Sequence, residues 1–340
     1  MGSLEKRDIR KGDQYLKAGD YDNCLYYYQH LLTKVESHYP KNDDRVILAY
    51  EKLADAEAAF GARDSALRYY RIGLDELRNK IKDKDMISEV SYEKELNTTF
   101  IRMLINCGNV YLQLSQNRKV KKRKISEYCE NSVLCYLEAL PIIQELKGMK
   151  SAYCTKVVQR LIGARDNLAK YYLESNKINL ASTQYQESIK TILPFLNELG
   201  EECERSLTEE EKKTSNSVQS NETDKSYRLM QYLYLKLHIN VGNLCLRQNR
   251  LDYVVIEYGE ALERLGLHED DEEYDRKLED LPVSVAKLVT TISHNLGVIA
   301  MKRGMLEETE IARNHFERAI RLHRKHESCP ALSILGLGEA

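Results

Sequence analysis

The sequence predicts an all-α chain, a right-handed superhelical solenoid of about six helix–turn–helix repeats with elongated helices and inserted loops. Three observations predict it. A signature of small residues and aromatics returns six times in 340 residues, at offsets that match a repeat of about 34 residues. Only five prolines and 16 glycines interrupt the chain, so long helices are permitted. Tyr appears 23 times against four Phe and no Trp. Tyrosine suits half-buried helix seams, where the ring packs and the hydroxyl reaches water. A helix pair built this way cannot bury its apolar face alone. It must stack on the next pair, and stacking creates an extended concave surface.

The first copy, near 5–38, reads Gly12, Tyr15, Gly19, Tyr21, Cys24, Tyr28 and Leu31. The small residue admits a second helix, and the aromatic on that helix closes the pair. The second copy, near 47–80, reads Tyr50, Leu53, Ala54, Gly61, Ala66, Tyr70 and Gly73, with Glu57 where a seam tyrosine is expected. The third, near 101–146, runs Leu104, Gly108 and Tyr111, then Ser132, Tyr136 and Ala139 after an insertion. The fourth, near 162–195, has Leu168, Ala169, Tyr172, Ala181, Tyr185 and Ser188. The fifth, near 235–268, has Val241, Gly242, Cys245, Val254, Tyr258 and Ala261. The sixth, near 290–326, has Leu296, Gly297, Ala300, Ala312, Phe316 and Ala319.

The copies are not tightly tandem, and the excess length is expected as longer helices and loops. Helical spacing of apolar residues predicts long helices over 85–115, 151–175 and 224–248. Segment 117–127 reads as a basic loop, 200–224 as a polar disordered loop and 268–281 as an acidic loop. Segment 327–340 reads as a tail. The whole of 5–326 is expected as one array.

Net charge is −2, which predicts no overall attraction to nucleic acid or anionic membrane. No continuous apolar run long enough to span a membrane is evident, and the charged start of the chain lacks a secretory signal. Eight scattered cysteines without a C-x-x-C pair are expected as reduced core thiols of the cytosol or nucleus. Motifs for nucleotide, zinc-protease or nucleophile-elbow chemistry are missing, so no enzyme, cofactor or metal is expected. His315, His323, His326 and Cys329 complete no ligand spacing.

Two constellations point to binding instead. Asn106, Asn167, Asn240 and Asn295 occupy one repeat position, two residues before the small residue. Asn109 and Asn243 follow the small residue, with Lys170 in that place in the fourth copy. Asparagine is a poor mid-helix residue, so its recurrence requires a reason. One reason is a column of amides on the groove-lining helices that pairs with a partner's backbone. The other is hydrogen bonding to the neighbouring helix. The second constellation is the run Arg118, Lys119, Lys121, Lys122, Arg123 and Lys124, expected in a loop and suited to a nuclear-import receptor. Acidic residues 269–273 suit a solvated linker.

The six copies resemble tetratricopeptide (TPR) repeat proteins over most of the chain. The segments LHINVGNLCLRQNRLDYVVIEYGEAL and ISHNLGVIAMKRGMLEETEIARNHFERAI look like the N-terminal array of Tonsoku-like proteins, as does the insertion in the third copy. That resemblance implies a nuclear scaffold at damaged replication forks, with histone and repair-factor partners. A cytoplasmic adaptor for cargo, polarity or signalling peptides is the other expectation.

Overall fold

The computed structural model describes residues 3–82, 90–117, 120–210, 222–267, 273–279, 281–303 and 306–325. Among them there is helix and no strand. The chain divides into two compact units, 1–171 and 172–340.

In the first unit α1 (Ser3–Ala18) pairs with α2 (Tyr21–His38), and α3 (Asp44–Phe60) with α4 (Arg63–Lys82). Next, α5 (Val90–Ser115) pairs with α6 (Lys122–Lys147), and α7 (Ala152–Glu174) follows. Each pair also packs on the next: α2 touches α3, and α4 touches α5. This is the stacked helix-pair arrangement of a TPR-type repeat.

The pairing follows from the small residues. Tyr28, on α2, lies against Gly12 on α1, where an added Cβ would overlap its ring. At Gly108 a Cβ would sit 3.0 Å from Tyr136 Cε1, on α6. Tyr28, Tyr70 and Tyr136 are almost wholly buried, and so is each partner's small neighbour. Burying such rings stabilises a seam by roughly 1.5–3 kcal/mol each.

In the second unit α8 (Ile178–Glu210) packs on α9 (Glu222–Arg247), and α9 on α10 (Leu251–Glu263). After the short α11 (Tyr274–Glu279), α12 (Val283–Arg303) packs on α9, α10 and α13 (Leu306–Lys325). Tyr258 of α10 lies against Gly242, and Phe316 of α13 comes within 2.7 Å of the Cβ position of Gly297.

The turn inside a pair repeats as well. Gly19, Gly61, Asn176 and Asn249 hold φ of 72°, 82°, 55° and 55°. Each lies seven residues past its copy's small residue. After each, the next amide reaches back across the helix end: Asp20 N to Tyr15 O at 2.9 Å, Ala62 N to Glu57 O at 2.9 Å, Lys177 N to Tyr172 O at 2.8 Å and Arg250 N to Cys245 O at 2.9 Å. These bonds satisfy carbonyls that the helix leaves open.

Several expectations are corrected. The basic segment 117–127 is helical from Lys122 onward, because Tyr128, Cys129 and Ser132 bury against the preceding helix and carry the helix back a turn and more. The polar segment 200–224 is helical over 200–210 and again from Glu222, and its remainder lies outside the described residues. The acidic segment 268–281 contains α11, which buries Tyr274 and Leu278. The tail 327–340 lies outside the described residues. Contrary to the expectation of no candidate span, α12 is long and apolar enough by length and composition to cross a membrane. Val285, Ala286, Val289 and Ile292 are buried among the neighbouring helices, which is the composition of a core helix.

Candidate partner-binding faces of the repeat helices

The first helix of each pair places the recurrent polar positions. In the first copy, Asp13 follows the small residue and accepts from Tyr28 Oη at 2.7 Å and Lys52 Nζ at 2.8 Å. In the second, Asp55 accepts from the Tyr70 hydroxyl and from Asn106 Nδ2, the latter at 3.0 Å. In the third, Asn109 Oδ1 accepts from Tyr136 Oη at 2.7 Å. In the fifth, Asn243 Oδ1 accepts from Tyr258 Oη at 3.2 Å, while Asn295 Nδ2 donates to Tyr258 Oη at 2.7 Å and to Asn243 Oδ1 at 3.3 Å. In these four copies the residue after the small residue accepts from the buried tyrosine of its own pair, and in three seams the next pair supplies the donor, from Lys52, Asn106 or Asn295.

Burial and these bonds set the titration of the groups. Burial pushes Tyr136 and Tyr258 up to about 12, so both hydroxyls remain donors. Burial raises Asp13, yet the bonds from Lys52 and Tyr28 outweigh it and leave the carboxyl below its usual 3.8. Burial holds Asp55 above 3.8, although Tyr70 and Asn106 pull it down.

Among the seven expected groove residues, Asn106, Asn109, Asn243 and Asn295 therefore spend polar atoms between helices. Lys170 is exposed and bonds Asp166 Oδ2 at 2.9 Å on its own helix. Asn167 on α7 and Asn240 on α9 are half-buried and have no partner among the described residues. Sequence spacing aligned all these amides, but it carried no sign of which would find a tyrosine. The acidic members of the clasp, Asp13 and Asp55, escaped the sequence reading because they are not asparagines.

Lys121, Lys122, Arg123 and Lys124 are exposed. The last three form the first turn of α6, a turn without an acidic residue. Arg118 and Lys119 lie outside the described residues.

Cys24, Cys107, Cys129, Cys135, Cys154 and Cys245 are buried free thiols, and Cys203 is half-buried. Burial lifts Cys24 and Cys154 to about 11, which keeps them protonated and unreactive. Cys329 and the side chains of His323 and His326 lie outside the described residues. Among the described residues, His238, Glu257 and Glu260 bring metal-ligand atoms within 4.8 Å of one another. However, His238 Nδ1 already meets Glu257 Oε2 at 2.9 Å, and its buried Nε2 has no partner. An ion on Nδ1 would force the proton onto Nε2, where nothing accepts it. The trio fits an interhelical bond better than a metal centre.

Cavities open along the first helices of the pairs. One of about 560 Å³ lies between α1 and α3, lined by Ile9, Arg10, Lys17 and Leu48. Another of about 440 Å³ continues past Leu48 to Arg45, Tyr92, Thr99 and Arg102 on α3 and α5. In the second unit a cavity of about 400 Å³ lies beside Leu229 and Tyr232 of α9 and Val285 of α12.

No family model and no curated protein matches the chain, so the narrower likeness to Tonsoku-like arrays gains no support of that kind. Solved structures do match. A putative kinesin light chain from Podosopora anserina, with nearly identical TPR-like repeats, is 11% identical with a TM-score of 0.45, over 76% of this chain and 98% of that one. BtubC from P. vanneervenii is 16% identical with a TM-score of 0.36, over 97% and 94%. The assembly chaperone Acl4 is 13% identical with a TM-score of 0.32, over 98% and 97%. The repeat architecture of the present chain stands on its own helix pairs.

Proposed function

We propose that the protein is a non-enzymatic interaction scaffold that holds segments of protein partners against the first helices of its repeat pairs. The observation that carries this reading is the pair of adjoining cavities on α1, α3 and α5, which meet at Leu48. They combine apolar floors with polar rims, as a surface that holds a peptide does. The strongly shifted tyrosines Tyr28, Tyr70, Tyr136 and Tyr258 sit in helix seams and hold the fold. Asn167 and Asn240 extend the reading, because each leaves an amide free to bond a partner's backbone.

A nuclear setting with chromatin or repair partners is the narrower form of the proposal, supported by the exposed Lys121–Lys124 cluster. The test is affinity capture with the wild type and with Asn167→Ala/Asn240→Ala, after circular dichroism shows equal helicity. Each lost hydrogen bond is worth about 1 kcal/mol, so the double variant should lose selected partners by roughly tenfold or more. Identical captured sets would remove the amides from the binding face.

A further inference from the structure

The cavity-lining face of α1 carries cations that make no hydrogen bond or ion pair within the fold. Lys6, Arg10 and Lys17 are exposed and border the cavity floored by Ile9 and Leu48. None has an ion-pair or hydrogen-bond partner among the described residues. The one carboxylate on this rim, Asp13, spends its hydrogen bonds on Tyr28 and Lys52 and reaches only Lys17 of the three, through charge alone.

Arg10 stands two residues before the small residue, the position that Lys52, Asn106 and Asn295 use to bond the preceding pair. At Arg10 that donor remains unspent. On the next helices the cations are engaged: Lys52 with Asp13, and Arg102 with Glu51. Three exposed cations of α1 therefore border one cavity without a bonded partner, in a chain whose net charge is only −2.

We infer that this face selects an acidic peptide segment with an aliphatic anchor, the carboxylates meeting Lys6, Arg10 and Lys17 and the anchor entering between Ile9 and Leu48. Lys6 to Lys17 spans about 17 Å at 1.5 Å per residue. An extended peptide covers that with roughly five residues, so two or three acidic side chains are enough. A nucleic acid would use the cations but has no group for the Ile9–Leu48 floor. This inference deepens the scaffold reading and rests on it.

The test is fluorescence anisotropy with three labelled probes: a ten-residue peptide in which pairs of Glu alternate with Leu, the same peptide with Lys for Glu, and a ten-nucleotide oligothymidine. The full chain should bind the Glu/Leu peptide and not the Lys/Leu peptide, with affinity falling as salt screens the charges. Both Lys6→Gln/Arg10→Gln/Lys17→Gln and the triple Glu variant should bind it at least tenfold more weakly, with unchanged circular dichroism because these side chains are exposed. Leu48→Ser should weaken it without changing the salt dependence. Equal binding by the triple variants, no binding by the wild type, or tighter binding of oligothymidine would each overturn the inference. If partner capture still depends on Asn167 and Asn240 in that event, the scaffold stands and only the acidic specificity falls.

Discussion

Asp13 and Asp55 fill the same repeat position and titrate in opposite directions. Asp13 accepts from a lysine cation, and its carboxylate is favoured despite burial. Asp55 lies deeper, receives a neutral amide from Asn106 and feels Glu51 nearby, so its carboxylate is disfavoured. The signs follow by linkage. Asp13 contributes stability above the ordinary 3.8, lost as pH falls through its lowered value. Asp55 binds its proton more tightly when folded, so its contribution is full below 3.8 and is lost as pH rises through its raised value. Asp55→Asn keeps an oxygen for Tyr70 and Asn106 and removes the charge. It is expected to raise the denaturation midpoint at neutral pH, with the gain shrinking as pH falls towards 3.8. Chemical denaturation of both proteins from pH 3.5 to 7.5 measures this, and a pH-independent difference would contradict the assignment. The clasp was half legible in the sequence. Recurrent Asn at one offset was visible, but its function as a donor across the seam, from Asn106 to Asp55 and from Asn295 to Tyr258, depends on a seam that only packing creates.

At the level of the helix pair, the turn is the most regular device. Gly19, Gly61, Asn176 and Asn249 share one offset and one left-handed conformation. Asparagine tolerates that conformation where other side chains do not. Gly61 has no heavy atom of another residue within 4 Å of an added Cβ, so Gly61→Ala tests backbone strain free of clash. It is expected to cost about 1–2 kcal/mol, seen as a lower midpoint in a urea titration with unchanged slope. A cost below a few tenths would mean the turn relaxes. Helix cores and pairings were readable because small residues and tyrosines keep their offsets. Helix ends were not. The first turns of α6 and α9 and the last turns of α8 are polar by composition, yet they continue helices whose inner turns are held by burial. Local polarity suggested loops there because tertiary packing overrides propensity.

Across the whole molecule, composition pointed away from general nucleic-acid or membrane attraction, and local charge carries the remaining information. Exposed cations occur on many of the described helices, and two groups of them bear on binding: those beside the α1 cavity and those at the start of α6. The α6 cluster sits where the helix dipole is positive, so its charges are uncompensated by the helix. Substituting Lys121, Lys122, Arg123 and Lys124 by Gln is expected to shift a fluorescently tagged chain from nucleus to cytoplasm, with helicity unchanged. Quantitative imaging of the nuclear-to-cytoplasmic ratio decides it. An unaltered ratio would detach the cluster from import.

Sequence by itself determined the helical class and the seams in which Tyr28, Tyr136, Tyr258 and Phe316 meet a small residue, because each is a short-range pattern with a single steric meaning. Only the tertiary structure decided which polar groups remain available. Asn106, Asn109, Asn243 and Asn295 are consumed where a neighbouring helix brings a tyrosine or carboxylate within hydrogen-bond reach. Asn167, Asn240, Lys6, Arg10 and Lys17 are left because no described neighbour does. Availability is a property of what surrounds a side chain, and a linear spacing carries no record of that.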